Sequence, residues 1–260
     1  MPATAKSAVA LKAPPARMTL AQAMSTLEKA GSAQTRKTYA RHGAPEPMFG
    51  VSFATQKTLV KRIRVDQDLA LALWDTGNFD ARILALKIAD PARMSPRDLD
   101  RWSAELSVRS CGGYLAHLVA ESPHARAKAD QWRPARSENQ RLAAWGVIGA
   151  MAMLDEETAD TWFEERLSEI ERTIHAAPNR QREAMNQAVI LIGCRNAALR
   201  KKAAAAAKRI GKVDVDHGDT ACKTPDAAQY IEKTWAHSTS KGFASPAAHE
   251  RAREPMRTRC

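Results

Sequence analysis

The chain has 260 residues, 44% hydrophobic, 27% charged and 5% aromatic, enough for one large domain or two small ones with a real core. Lys and Arg number 40 against 29 Asp and Glu, a net charge of +11. No stretch approaches the roughly eighteen uninterrupted apolar residues that a membrane-spanning helix needs. The four cysteines (Cys111, Cys194, Cys222 and Cys260) show neither CxxC nor Cys/His ligand spacing. They read as reduced thiols of a cytoplasmic protein, with no metal site and no cofactor expected.

In chain order, residues 1–17 are basic and alanine-rich but lack the apolar core of a signal peptide, and they are expected to form a disordered arm. From Met18 to about Ile210 the helical period recurs almost without interruption. "TLAQAMSTLEKAG" opens at Thr19, a good N-cap, and stops at Gly31; "SAQTRKTYARHG" follows from Ser32 to Gly43, and the Pro-rich "APEPMFGVS" is a connector. Helices are then predicted in "FATQKTLVKRI", "DQDLALALWDTG", "NFDARILALKIAD" and "SPRDLDRWSAELSVR". Next comes "VRSCGGYLAHLV", whose helix is expected from Tyr114 onward, because Cys-Gly-Gly is a costly helix start at about 1 kcal/mol per glycine. "HARAKADQWR", "SENQRLAAWGVIGAMAML", "TADTWFEERLSEIERTIHAA", "RQREAMNQAVILIGC" and "NAALRKKAAAAAKRIG" complete the series, each bounded by cap or stop residues. "KVDVDHG" is the one short strand candidate, and residues 236–260, poor in apolar side chains, are expected to be a disordered tail.

Helices of this length with tight connectors, a more polar one alternating with a more apolar one, suit an all-α HEAT-like solenoid over residues 18–235. Trp74, Trp102, Trp145 and Trp162 fall at helical spacings with Leu and Ile and are expected in the core. The charge is unevenly spread. Residues 1–42 carry seven basic residues and one acid, and residues 176–213 carry nine and one, whereas residues 111–175 carry seven and eleven. Two positive segments make a footprint for a polyanion, nucleic acid first, with a solvated lysine and arginine surface as the other reading. Arg182, Arg195, Lys201 and Lys202 in the second segment are the candidate phosphate contacts.

Three patterns carry a family resemblance: Tyr39 before the "GV" connector, "LWDTG" closing a helix, and "QRLAA" opening an apolar one. Over roughly residues 20–210 the chain resembles the AlkD-type DNA alkylation-repair proteins, all-helical HEAT-like-repeat glycosylases. The resemblance implies a C-shaped solenoid whose concave basic groove grips duplex DNA, alkylated or of unusual shape, and a metal-independent cleavage of the glycosidic bond of N3- or N7-alkylated purines. It gives Arg141 a phosphate-gripping role and Tyr39 a contact near the strand, where the residues alone also allow a surface arginine and a half-buried helix tyrosine. It further implies a Trp-Asp-x-Val-Asp segment before an "AHLVG"-like helix, its last Asp being the essential acid. Here "AHLVA" is present at 116–120, and Val108, Arg109, Ser110, Cys111 and Gly112 stand on those five positions, so the acid's place falls on Gly112. A second groove aromatic, expected in an "IGW" segment, falls on Cys194. The expected function is therefore DNA binding with weak or no base excision, by a monomer associated with the nucleoid of a bacterial-type cytoplasm. A working glycosylase using another acid is the first alternative, and a protein-binding helical scaffold the second.

Overall fold

A computed structural model of the chain describes residues 17–106 and 108–259. Fifteen α-helices are found among them: α1 (Leu20–Ala30), α2 (Ala33–Arg41), α3 (Phe53–Ile63), α4 (Gln67–Asp75), α5 (Phe79–Ile88), α6 (Pro96–Glu105), α7 (Val108–Ala120), α8 (Ala125–Trp132), α9 (Glu138–Leu154), α10 (Asp160–Thr173), α11 (Asn179–Gly193), α12 (Ala197–Ile210), α13 (Ala227–Ser240), α14 (Pro246–Arg251) and α15 (Met256–Arg259). The described residues contain no strand, only an isolated bridge between Gly31 and Val51. Local chemistry sets most helix starts. Thr19 forms a reciprocal capping box with Gln22, and Ser32, Ser52, Asp66, Asn78, Ser95, Ser137 and Asn196 each accept an N–H from the first turn they precede. Each such cap is worth about 1 kcal/mol.

Helices α5, α7, α9, α11 and α13 form one layer, each packed on the next. Small residues let their backbones approach. A Cβ added at Gly149 of α9 would lie 2.6 Å from Leu191 of α11, and one at Gly193 of α11 would lie 2.6 Å from Ile231 of α13. Helices α4, α6, α8, α10 and α12 form the second layer, and polar contacts tie it together. Trp74 of α4 stacks on Trp102 of α6 at 4.1 Å, and its indole N–H donates to Glu105 at 2.8 Å. Asp100 of α6 accepts from Lys128 and Trp132 of α8, both at 2.7 Å. Burial pushes the Asp100 carboxyl up, but these donors together outweigh burial and hold it below the ordinary value. Arg133, at the C-terminal end of α8, reaches Glu169 of α10, and Arg166 of α10 reaches Asp130 of α8 at 3.1 Å. From α12, Lys202 and Arg209 pair with Glu164 and Glu171 of α10, each at 2.5 Å. Trp74, Trp102, Trp145 and Trp162 are all buried, as their spacing predicts.

Three local expectations differ. Helix α7 begins at Val108, so the two glycines lie inside it, and a Cβ at Gly113 would come within 3.0 Å of Met256. The "KVDVDHG" segment is irregular: its alternation has no neighbouring strand, and Asp216 is tied instead to Asn179 by two 2.7 Å hydrogen bonds. The third is the expected disordered tail. Residues 236–259 continue α13 and form α14 and α15, with α14 packed on α9 and α13, and α15 on α3, α5 and α7. Low apolar content hides this because an arginine does the anchoring: Arg257 is only 3% exposed. The expected N-terminal arm lies outside the described residues except for Arg17.

The backbone holds one further unusual feature. Gly211 ends α12 at φ 68°, ψ −149°, a conformation suited to glycine, and Arg64 ends α3 in nearly the same one, φ 65°, ψ −120°. Among the described residues Arg64 is the one non-glycine with positive φ, at a cost of roughly 1–3 kcal/mol.

Candidate nucleic-acid interface

The start of α7 is where the resemblance puts the working carboxylate. Cys111 is 1% exposed, and burial, opposed by Lys87 and reinforced by Asp80, pushes its thiol far above the ordinary value. It is therefore a neutral packing group. The acids nearby are committed elsewhere. Asp80, fully buried in the first turn of α5, accepts the N–H groups of Phe49 and Gly50 on one oxygen (2.7 and 2.9 Å) and of Val51 on the other (2.8 Å). It gathers the "MFGV" connector against α5. Glu121, just past α7, accepts from Arg257 at 2.8 and 3.2 Å.

The C-terminal segment packs beside this region, which leaves Gly112 half-buried and Gly113 exposed. Met256 sits against Gly113, while Arg257 donates to the carbonyls of Leu86, Lys87 and Ala89 at 2.9, 3.3 and 3.3 Å. The Lys87 ammonium, itself buried, donates to the Arg257 carbonyl at 3.0 Å and lies 3.8 Å from the Tyr114 ring. The same segment closes over the other expected site position. Cys194 is 1% exposed, its carbonyl accepts the Ala247 N–H at the start of α14 at 3.1 Å, and burial pushes its thiol up to about 12. His117 faces this segment as well. Burial lowers its imidazole below the ordinary 6.5, Glu121 and Glu250 oppose that, and Arg257 and Arg259 add to it.

The candidate DNA contacts differ in burial and in the partners they hold. Tyr39 is a core residue. Its hydroxyl donates to the Val51 carbonyl at 2.7 Å, its ring packs on Phe53 and Phe79 at 5.8 and 5.6 Å, and burial raises its pKa. Arg195 is also internal, 8% exposed. It donates to Asp160 at 3.1 Å and to the carbonyls of Ala152, Asp155 and Thr158, lashing the α9–α10 connector to the end of α11. Lys202 is exposed but paired with Glu164. Arg182 is half-buried, with its Nε unpartnered. Lys201 is exposed without an ion pair, and Arg141, half-buried at the start of α9, donates to the carbonyls of Ala135 and Arg136, both at 2.8 Å. Three of the nine cations of 176–213, Arg195, Lys202 and Arg209, are thus paired with carboxylates of α10 in the acidic 111–175 segment. Cations that the sequence reading did not single out stay unpaired on the first three helices. The "LVKRIRV" run around the end of α3 was their signal.

A family model described as DNA alkylation repair enzyme matches residues 23–231. The chain belongs to this family. An uncharacterized protein of Listeria innocua is 28% identical over 225 residues, covering 83% of this chain and 97% of its own. A second, from Listeria monocytogenes, is 27% identical over 224 residues with the same coverages. A solved structure superposes with a TM-score of 0.76 at 31% identity, covering 87% of this chain and 96% of the other. It is described as a new family of proteins related to the HEAT-like repeat DNA glycosylases with affinity for branched DNA structures. The HEAT-like architecture of this alkylation-repair family member is therefore established, as the alternation of polar and apolar helices predicts.

Proposed function

We propose that the protein binds DNA, branched forms included, through its phosphate backbone, and does not excise alkylated bases at an enzymatic rate. One observation carries the second half: the place of the expected acid holds a glycine pair, with no carboxylate of its own, and Met256 of α15 lies beside Gly113. Excision passes through an oxocarbenium-like sugar, which a fixed carboxylate stabilises while positioning water. Asp80 is buried with three N–H donors on its oxygens, and Glu121 is engaged by Arg257, so neither is free to do this. Loss of one preorganised group costs on the order of 10²–10³ in rate. The first half is supported by family membership, by the affinity ascribed to the structural relative, and by the net charge of +11. Such a protein would work on cytoplasmic DNA.

The test sets equilibrium binding beside single-turnover excision. Binding of linear duplex and of a four-way junction is measured across salt, and release of 7-methylguanine and 3-methyladenine is measured at saturating protein. Junction binding that weakens steeply with salt, with release at the spontaneous rate, is expected. Release far above spontaneous depurination, lost when an acid is substituted, would make the protein a working glycosylase. Salt-independent or absent DNA binding would remove the DNA reading.

A further inference from the structure

Ion pairing leaves the two basic segments in different states. Of the nine cations in 176–213, Arg195, Arg200, Lys202, Arg209 and Lys212 are held by Asp160, Glu232, Glu164, Glu171 and Asp214. Nine cations also lie between Arg17 and Val65, against two acids, Glu28 and Glu46. Among the described residues, only Arg36 of these is in an ion pair, with Glu46 at 2.8 Å.

Part of this free charge is organised into a groove. A cleft of about 730 Å³ is lined by Arg17, Met18, Arg62, Ile63, Arg64, Val65 and Asp66. A second, about 430 Å³, continues from it through the shared Met18 and Arg62 to Lys29 on α1. The one carboxylate present, Asp66, already caps α4 by accepting the Leu69 N–H at 3.1 Å. Val65, 57% exposed, adds an apolar surface beside the guanidinium groups.

Helix geometry accounts for part of this arrangement. Lys29, Lys61 and Arg62 lie in last turns, where the helix dipole favours cations. It does not account for Arg64. That side chain is kept in a backbone conformation that the equivalent α12 terminus fills with glycine, and it makes no hydrogen bond or ion pair among the described residues that would repay the strain. Strain held by a residue with no structural partner points to a ligand.

We propose that Arg17, Arg62 and Arg64 form a phosphate-binding site that takes consecutive phosphodiester groups of DNA, with Lys29 extending the track. Guanidinium forks bond phosphate oxygens in pairs, and Val65 and Ile63 fit the flank of a deoxyribose. The proposal rests on the DNA-binding reading and locates its main electrostatic contact on α1 and α3, away from 176–213 and from the start of α7.

The test uses the full chain, a linear duplex and a four-way junction, with binding by fluorescence anisotropy across salt and stability by thermal melting. Arg64→Gly is expected to weaken binding about three- to tenfold and to reduce the slope of log K against log salt by roughly one unit. It should also raise Tm by about 2–4 °C, because the strain is relieved. Arg62→Ala should show the same binding loss without the gain in Tm. Lys201→Ala with Lys208→Ala should change the slope little. If Arg64→Gly and Arg62→Ala both bind as the parent does, while the lysine pair variant loses affinity, the site is overturned and DNA binding stands. If the parent protein does not bind DNA, both readings fall. If Arg64→Gly loses stability together with affinity, the strain argument fails and Arg64 belongs to the fold.

Discussion

Replacing Arg257 with alanine should undo the C-terminal cover of α7. The guanidinium is 3% exposed and serves two sets of acceptors: the Glu121 carboxylate, and the Leu86, Lys87 and Ala89 carbonyls at the end of α5. Last-turn carbonyls have no partner within their own helix, so a cation there satisfies them and complements the dipole. Removing it leaves Glu121, whose second oxygen is already without a partner, as an uncompensated charge in a site 20% exposed. Breaking a buried pair in this way costs about 3–5 kcal/mol. Water entering after α15 undocks limits the loss, so roughly 3 kcal/mol is expected, or about 10 °C in Tm for a domain of this size. Thermal melting reads the first effect, and hydrogen exchange over 245–259 and the end of α5 reads the undocking. Arg253→Ala is the control, since Arg253 is 49% exposed and 3.8 Å from Glu250, a pair worth at most about 0.5 kcal/mol. A Tm within 2 °C of the parent, with unchanged exchange, would refute the anchoring role.

Arg195→Ala should lower Tm by about as much, for the same reason, while leaving the salt slope of DNA binding unchanged; a normal Tm with a flattened slope would return Arg195 to the surface. Gly193→Ala places a methyl 2.6 Å from Ile231 and 3.0 Å from Ala203, both in packed helices, and should cost about 1–3 kcal/mol in denaturant unfolding; no loss would mean the α11–α13 spacing is soft. His117 imposes a pH dependence. Its folded pKa lies below 6.5, so the unfolded chain takes the proton first as pH falls. Its contribution is intact above about 6.5 and declines as pH drops from there through the folded value, which His117→Gln should abolish in melts between pH 7 and 5. Equal pH slopes in the two proteins would show that other groups dominate.

Helix identity and ends were legible because their causes are local. Thr19 with Gln22, Ser52, Asn78, Ser137 and Asn196 meet their N–H partners two or three residues away, and the Leu, Ile and Trp spacing states which face is buried. The HEAT-like stacking followed, because each amphipathic helix must cover its apolar stripe with a neighbour. The fate of each charge was not legible. Arg195 and Arg62 look alike in sequence, yet one is enclosed by Asp160 and three carbonyls and the other stays open, because their partners lie 35 residues or more away or do not exist. Nor could low apolar content reveal that residues 245–259 fold back over α7. That contact is made by one arginine across 136 residues, by Met256 resting beside Gly113, and by Lys87 bonding a carbonyl 170 residues on. Coulombic and steric matches of this kind depend on distances that only the closed chain defines. The tertiary structure alone therefore decided which cations remain free to meet a phosphate.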